Sequence, residues 1–171
     1  LMTDTRHFGV TYQINPWMRP DAWQADPAAL AAAAVESAAL LRVALEKAGG
    51  HVETVPAVER LPDLVFPANA AIVLDGRALV ARFRHPERQG EEAVFRAVFL
   101  DLKARGLHRD VIELPDGVLQ EGAGDCIWDA DRSFFWAGYG QRSTENSLPV
   151  IEDVFGQRVV GLQLATDRFY H

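Results

Sequence analysis

The sequence predicts an α/β fold built from repeated units, each with the order strand, strand, helix, strand. Two observations support this prediction. A pattern recurs at intervals of roughly 50 residues, as in repeat architectures, and within each copy the apolar residues change from short runs to helical spacing. We place three copies near residues 8–56, 69–115 and 124–165, and we expect a fourth to open near residue 169. The length of 171 residues suits a single domain with its own core.

The first copy is the least complete of the three. Asp26 before Pro27 is typical of a helix start, because the carboxylate can cap the first turn and proline is tolerated there. Apolar residues then recur at helical spacing until Gly49 ends the helix. The predicted strands of this copy are Val10–Asn15 and His51–Val55, and a partner strand is missing.

The second copy is the clearest. Asp75-Gly76 stands between two apolar runs, and this dipeptide favours a hairpin because both turn positions need positive φ. A helix through Val94–Leu102 follows, and Gly106 ends it. The predicted strands are Ala71–Leu74, Ala78–Ala81 and Val111–Leu114.

The third copy repeats this order. Its helix is expected to begin near Ser143 or Thr144, which are both suitable caps, and to end at Gly156. Pro149 limits how the helix can begin. The predicted strands are Asp125–Trp128, Phe134–Ala137 and Val159–Leu164.

The composition excludes several classes of function. The net charge of -7 argues against a nucleic-acid partner, which would need clustered basic residues. No apolar run approaches the ~20 residues that cross a membrane, so we expect no membrane partner. The single cysteine, Cys126, excludes a disulfide framework and a multi-cysteine metal site. We see no metal cluster and no phosphate loop, and we therefore expect no cofactor. The polar first residues lack a signal-peptide stretch, so we expect a cytoplasmic location.

Two carboxylates flank a segment of small residues, Gly122–Gly124. Glu121 and Asp125 can hold a cation or orient a base, and small residues let the backbone approach a ligand. A plain glycine-rich turn before a strand is the alternative, and the short motif alone favours that reading.

A second candidate segment places Asp63, Phe66 and Asn69 three residues apart between prolines. Asp63 can bind a guanidinium in a bidentate manner, and Phe66 can lie against its plane. A loop with a buried phenylalanine and an aspartate turn explains the same residues equally well.

Arginines and one histidine complete the candidates. Arg82 and Arg142 can each bind a carboxylate with two hydrogen bonds, although an ion pair with nearby glutamates is an alternative for Arg82. Arg142 has no evident local partner in the sequence. His171 carries no signal by itself, and Cys126 fits a small buried apolar residue better than a nucleophile.

Five segments, taken together and in order, give a more specific signal. They are Asn15–Met18, Leu61–Ala70, Arg82–Glu92, Glu121–Asp125 and Phe169–His171. This set resembles the superfamily of guanidino-group-modifying enzymes, which includes amidinotransferases, dimethylarginine dimethylaminohydrolases and arginine deiminases. The arginine dihydrolase-like branch is the most similar, and the resemblance covers nearly the whole chain.

The resemblance implies a five-bladed α/β propeller (pentein) of strand–strand–helix–strand units, of which this chain would hold about three. It also implies nucleophilic chemistry without a cofactor. A cysteine thiolate attacks the guanidinium carbon, a histidine moves protons, and acidic residues hold the guanidinium.

The resemblance also implies roles for particular residues. His171 is the general acid and base, and Glu121 is the carboxylate beside it. Asp63 and Phe66 bind the guanidinium, and Asn69 takes the adjoining position, where many relatives carry an acid. The implied ligands of the rest of the substrate are Arg142, Arg82, Asp125 and Asn15, with Asn15 on a lid.

The family nucleophile lies beyond the position of His171, and Cys126 does not match it. We therefore expect this chain alone to be inactive and to need a missing C-terminal segment or a second chain. The expected function is hydrolysis of C–N bonds in arginine or a methylated arginine. An amidinotransferase of the same fold, and a non-catalytic partial propeller that binds a ligand or self-associates as a homo-oligomer, stay open as alternatives.

Overall fold

The computed structural model describes residues 1–171 and divides into two compact units, Leu1–Pro67 and Ala68–His171. We call them the N-terminal and C-terminal units. The sequence had suggested one domain. The division falls inside the proline-bracketed segment that precedes the second repeat.

The N-terminal unit contains a small parallel sheet, in which β1 (Met2–Thr3) pairs with β2 (Thr54–Val55). The predicted strand over Val10–Asn15 is wrong, since this segment is irregular. Asn15 instead closes a turn, because its Oδ1 accepts hydrogen bonds from the backbone N–H groups of the second and third residues that follow, at 2.9 and 3.1 Å. The strand that pairs with β2 comes from the start of the chain.

Two helices connect these strands, α1 (Pro20–Ala25) and α2 (Pro27–Lys47). Asp26 caps α2 as predicted, with Oδ1 accepting from the Ala29 N–H at 3.1 Å. No residue of α2 is buried. By length and composition alone α2 is long and apolar enough to cross a membrane, with a mean hydropathy of 1.7 over 18 residues, so the prediction that no apolar run approaches this length is wrong.

The first sheet of the C-terminal unit has the strand order β3-β4-β5. β3 (Ala71–Leu74) and β4 (Arg77–Val80) form the predicted antiparallel hairpin, and Asp75 and Gly76 have φ values of 49° and 75°. The chain then forms α3 (Pro86–Ala104), and β5 (Asp110–Ile112) joins β4 in parallel.

The second sheet repeats this topology with the order β6-β7-β8. The elements are β6 (Cys126–Asp129), β7 (Phe134–Tyr139), α4 (Ser147–Phe155) and β8 (Val159–Gln163). β6 and β7 are antiparallel, and β7 and β8 are parallel. The predicted repeat order is therefore confirmed twice.

α4 begins three to four residues later than the sequence suggests, because the hydroxyls expected to cap it are used elsewhere. Ser143 Oγ contacts Asp125, and Thr144 Oγ1 accepts from the Leu119 N–H at 3.1 Å. Pro149 is the third residue of the helix, where its missing N–H has no partner to lose.

Both sheets of the C-terminal unit share one apolar core, in which Phe135 and Ile151 are fully buried. The other buried members of the cluster are Ile72, Leu79, Leu114, Val118, Cys126, Ala137 and Phe155. No strand forms near residue 169, where a fourth repeat was expected to open; a turn closed by a hydrogen bond from the Phe169 N–H to the Thr166 carbonyl occupies this segment.

Candidate active site

A tight turn at Gly122–Gly124 positions the two acids of the first candidate segment. Gly122 has a φ of 63°, and a Cβ there would lie 2.6 Å from the carbonyl carbon of Asn69, so only glycine fits. A Cβ at Gly124 would overlap the Asn69 amide and lie 3.3 Å from Nδ1 of His171. The turn thus lies close to other residues of the chain itself, and its close approach to a ligand stays a prediction.

His171 forms a hydrogen-bonded pair with a buried carboxylate. Its Nδ1 lies 2.8 Å from Asp125 Oδ1, and the histidine side chain is partly exposed while the aspartate side chain is buried. The other oxygen of this carboxylate, Oδ2, accepts a short hydrogen bond from Ser143 Oγ. A carboxylate on Nδ1 holds that nitrogen in its protonated form and directs Nε2 away from itself.

Asn69 lies on the other side of the imidazole. Its Nδ2 donates to the Glu121 carbonyl at 3.0 Å and lies 3.5 Å from Nε2 of His171. An amide N–H is a donor only, so this contact requires an unprotonated Nε2. Both neighbours therefore favour the tautomer with its proton on Nδ1, in which Nε2 is the nitrogen that can accept a proton.

The Glu121 carboxylate does not contact His171, and the carboxylate that lies within hydrogen-bond distance of this histidine is that of Asp125. Glu121 Oε2 instead accepts from Arg142 Nη1 at 3.1 Å, in an ion pair whose two side chains are almost fully buried. Glu121 Oε1 accepts from the Arg84 backbone N–H at 3.2 Å. The physical reason is that a buried guanidinium requires a carboxylate partner, and Glu121 is the one provided.

The sequence suggested no local partner for Arg142, but the structure pairs it with Glu121. Besides the ion pair with Glu121, its guanidinium carbon lies 5.1 Å from the centre of the Tyr170 ring. Its backbone carbonyl accepts from Arg84 Nε at 3.1 Å. The nearby His85 has a pKa below its ordinary value, first because of burial and second because of the positive charge of Arg142.

Arg82 makes its polar contacts with a neighbouring loop. Nη1 donates to the Pro115 carbonyl at 2.6 Å and Nη2 to the Leu114 carbonyl at 3.0 Å, while the backbone of Arg82 bridges to Gln120. The guanidinium therefore stabilises the strand-to-loop connection. The predicted role of Arg82 in substrate binding stays a prediction.

Three predicted site residues belong to the N-terminal unit. Asp63 is buried in a short 3₁₀ turn, Pro62–Val65, whose Leu64 carbonyl accepts from Thr3 Oγ1 at 2.7 Å. Phe66 is 48% exposed and makes an edge contact with Phe8. The acid is held by the fold and the ring is open to solvent, and the roles of both residues in guanidinium binding stay predictions.

Asn15 is the third of these residues. Its side-chain oxygen is occupied by the turn that it caps. The structure therefore gives this asparagine a local conformational role, and its place on a substrate lid stays a prediction.

Cys126 is a buried residue of the apolar core and is 1% exposed. Burial, followed by the negative charge of Asp125, raises the pKa of its thiol to about 12. A thiol in this environment is protonated at neutral pH, which agrees with the interpretation of Cys126 as a small apolar residue.

Two contacts at the candidate site were not predicted from the sequence. Ser143 was considered only as a helix cap, and for Arg84 no contact with Glu121 was expected. The signal for Ser143 was its position directly after Arg142 in a turn. The signal for Arg84 was weaker, since its contact with Glu121 is made by the backbone.

The chain is similar to known proteins over nearly its whole length. The family model described as N,N dimethylarginine dimethylhydrolase, eukaryotic, matches residues 6–171. The bifunctional arginine dihydrolase/ornithine cyclodeaminase ArgZ of Synechocystis sp. is 39% identical over 171 residues, which is all of this chain and 23% of that protein. This chain therefore spans about a quarter of the length of that relative.

Two solved structures show the same fold. The N-terminal domain of ArgZ, an arginine dihydrolase bound to substrate, superimposes with a TM-score of 0.82 at 37% identity, over 99% of this chain and 59% of that domain. A variant of AgrE in a binary complex with L-arginine gives a TM-score of 0.87 at 38% identity, over 99% of this chain and 24% of that protein. The chain thus has the mixed α/β fold of the N-terminal part of these proteins.

Proposed function

Because the chain belongs to the dimethylarginine dimethylaminohydrolase family, we propose that it is part of a hydrolase that cleaves C–N bonds in the guanidinium group of arginine or a methylated arginine. The observation that supports this most strongly is the His171–Asp125 pair, in which Nδ1 is held by a buried carboxylate and Nε2 faces an amide donor. That is the arrangement of a general base in its neutral form.

In the proposed reaction Nε2 of His171 takes the proton of a cysteine thiol, and the resulting thiolate attacks the guanidinium carbon and forms an S–C bond. As the C–N bond breaks, the leaving amine takes a proton from Nε2 of His171. A water molecule then adds its oxygen to the same carbon and gives a proton back to Nε2, and the S–C bond breaks. Each half-reaction uses the same nitrogen, first as acid and then as base.

The nucleophile of this reaction belongs to a segment outside residues 1–171. Cys126 is excluded by its burial and its high pKa. The ArgZ N-terminal domain extends well beyond the 59% that this chain matches, and the proposal assigns the nucleophile to the corresponding segment. The complete protein would close a five-bladed propeller of which the two observed repeats and the N-terminal unit form part.

The proposed substrate contacts place an acidic residue at the substrate guanidinium and an arginine at the substrate carboxylate. Asp63 is a buried acid suited to a guanidinium, and the exposed ring of Phe66 suits its planar face. Arg142 has donors beyond the one that Glu121 uses, and these suit the substrate carboxylate. Arginine is favoured over methylated arginine because the similar solved structures include complexes with L-arginine.

A chimera tests the proposal. Residues 1–171 of this chain would be fused to the part of the ArgZ N-terminal domain that the match does not cover. We expect the chimera to release ammonia from L-arginine and the separate chain to release none. Mass spectrometry of the products distinguishes a hydrolase, which gives citrulline or ornithine, from an amidinotransferase, which gives a new guanidino compound when an amine acceptor is added.

A folded chimera that turns over neither L-arginine nor dimethylarginine would contradict the proposal. Folding would be verified by far-UV circular dichroism. The control is the ArgZ N-terminal domain itself, which has its own residues on both sides of the fusion point.

A further inference from the structure

We propose that Ser143 is a positioning residue for the His171–Asp125 pair: its hydroxyl fixes which carboxylate oxygen of Asp125 faces the imidazole. The importance of this role for catalysis rests on the function proposed above. The role in fixing the imidazole tautomer does not, and it can be measured without any turnover.

The hydrogen bonds of Ser143 determine the direction of its single hydroxyl proton. Oγ accepts the backbone N–H of Glu121 at 3.0 Å, so the proton is directed at the remaining polar neighbour, Oδ2 of Asp125. Oδ2 is thereby occupied, and Oδ1 is the oxygen that remains for Nδ1 of His171, at 2.8 Å.

Because Ser143 and Asp125 are buried, no other donor can readily replace the hydroxyl of Ser143. Ser143 is 1% exposed and the Asp125 side chain is also 1% exposed. Water cannot reach Oδ2 to take over the lost hydrogen bond, and a buried carboxylate oxygen without a donor is unfavourable. Without the hydroxyl, the carboxylate would rotate towards other donors and release the imidazole.

The backbone around Ser143 is itself held in place. Its carbonyl accepts from the Gly140 N–H at 2.9 Å. The preceding residue, Arg142, binds the carboxylate of Glu121, and Ser143 binds the carboxylate of Asp125. Two consecutive residues therefore hold the two acids that flank the Gly122–Gly124 turn.

Thr144 provides a matched control one position away. Its hydroxyl also bonds a neighbouring loop, accepting from the Leu119 N–H at 3.1 Å, but it makes no contact with Asp125. Removal of either hydroxyl should disturb the turn to a similar degree. Only the removal at Ser143 should alter the imidazole of His171.

The test is a ¹⁵N–¹H correlation spectrum of the histidine side chains of the 171-residue chain, recorded at an alkaline pH where an ordinary imidazole is neutral. The ring ¹⁵N shifts report which nitrogen carries the proton. His171→Asn assigns the signals, and Asp125→Ala gives the spectrum of an imidazole without its carboxylate.

We expect His171 to carry its proton on Nδ1 in the wild type, in Ser143→Thr and in Thr144→Ala. In Ser143→Ala we expect a shift towards the Nε2–H pattern of Asp125→Ala, while the other four histidines keep their signals and so verify the fold. A wild-type Nδ1–H pattern in Ser143→Ala would overturn the proposal, as would an Nε2–H pattern in the wild type.

The chimera provides a separate kinetic readout. There, Ser143→Ala should lower kcat on the order of 10-fold with little change in KM, as expected for loss of one hydrogen bond to a charged group, and Ser143→Thr should restore it. An inactive chimera would contradict the proposed function and leave the tautomer measurement to decide the role of Ser143.

Discussion

The two long helices, α2 and α3, have similar local signals and opposite environments. Each begins at a proline and is followed by a glycine with positive φ, Gly49 in one case and Gly106 in the other. α2 buries none of its residues. α3 packs against β4 and β5 of a three-stranded sheet and buries five of its side chains.

The difference teaches that capping and spacing determine where a helix forms, whereas the neighbouring sheet determines whether its apolar side chains leave water. The strands beside α2 have two residues each and form only a two-stranded sheet. A helix can bury its apolar side chains against the three-stranded sheets of the C-terminal unit. Stability in this chain should therefore be concentrated in the C-terminal unit.

The largest expected effect compares a buried with an exposed apolar residue. Phe95→Ala in α3 removes a side chain that is 0% exposed and should lower the free energy of unfolding by about 4 kcal/mol. Leu40→Ala in α2 removes one that is 65% exposed and should change it by less than about 0.5 kcal/mol. Urea unfolding followed by circular dichroism measures both. Equal losses would show that α2 is buried in solution.

The second effect compares two ion pairs. Glu121→Ala leaves the buried guanidinium of Arg142 without its carboxylate and should cost about 3 kcal/mol. Glu46→Ala breaks the half-exposed pair with Arg42 in α2 and should cost less than about 0.5 kcal/mol. The same denaturation curves report both changes. A loss below about 1 kcal/mol for Glu121→Ala would mean that Arg142 finds another partner.

The third effect compares two glycines that both have positive φ. Gly122→Ala would place a Cβ 2.6 Å from the Asn69 backbone, so it combines strain with overlap and should cost about 2 kcal/mol or more. Gly49→Ala has open space around it and should cost about 1 kcal/mol from strain alone. Thermal unfolding ranks them, and the reverse order would contradict the close approach of Asn69 to the turn.

These comparisons also show how much the sequence could predict. Hairpins and helix ends depend on short signals such as Asp75-Gly76 and Gly156, and both were predicted correctly. The strand over Val10–Asn15 was not, because an apolar run forms a strand only where a partner strand is available, and here the partner of β2 is Met2–Thr3.

The sequence analysis selected the residues of the candidate site, but it predicted only some of the contacts between them. Glu121, Asp125, Asn69 and His171 were all selected from motifs, and the structure brings them together around one turn. The sequence could not predict that Asp125 rather than Glu121 bonds His171. That choice depends on the buried charge of Arg142, which draws Glu121 away, and on the hydroxyl of Ser143.

A smaller effect concerns the single thiol. Since burial raises the pKa of Cys126 to about 12, iodoacetamide at pH near 8 should leave the folded chain unmodified and should alkylate it fully in urea. Intact mass spectrometry measures the added group. Rapid alkylation of the folded chain would show that the core of the C-terminal unit opens readily.

The smallest effect is a dependence of stability on pH. The pKa of His85 lies below its ordinary value of 6.5, so the unfolded chain takes up a proton there before the folded chain does. Stability should therefore fall as the pH falls through 6.5 and below. His85→Gln should flatten that part of the profile, as measured by urea unfolding at several pH values. An unchanged slope would assign the loss to other groups.

The most direct test of the central claim is the rate of ammonia release from L-arginine by the chimera and by its His171→Asn variant. Because Nε2 of His171 transfers the proton in the proposed reaction, we expect a loss of about 100-fold or more in the variant, with unchanged circular dichroism. Equal rates in the two proteins would contradict the assignment of His171, and with it the proposed role of the pair that this chain provides.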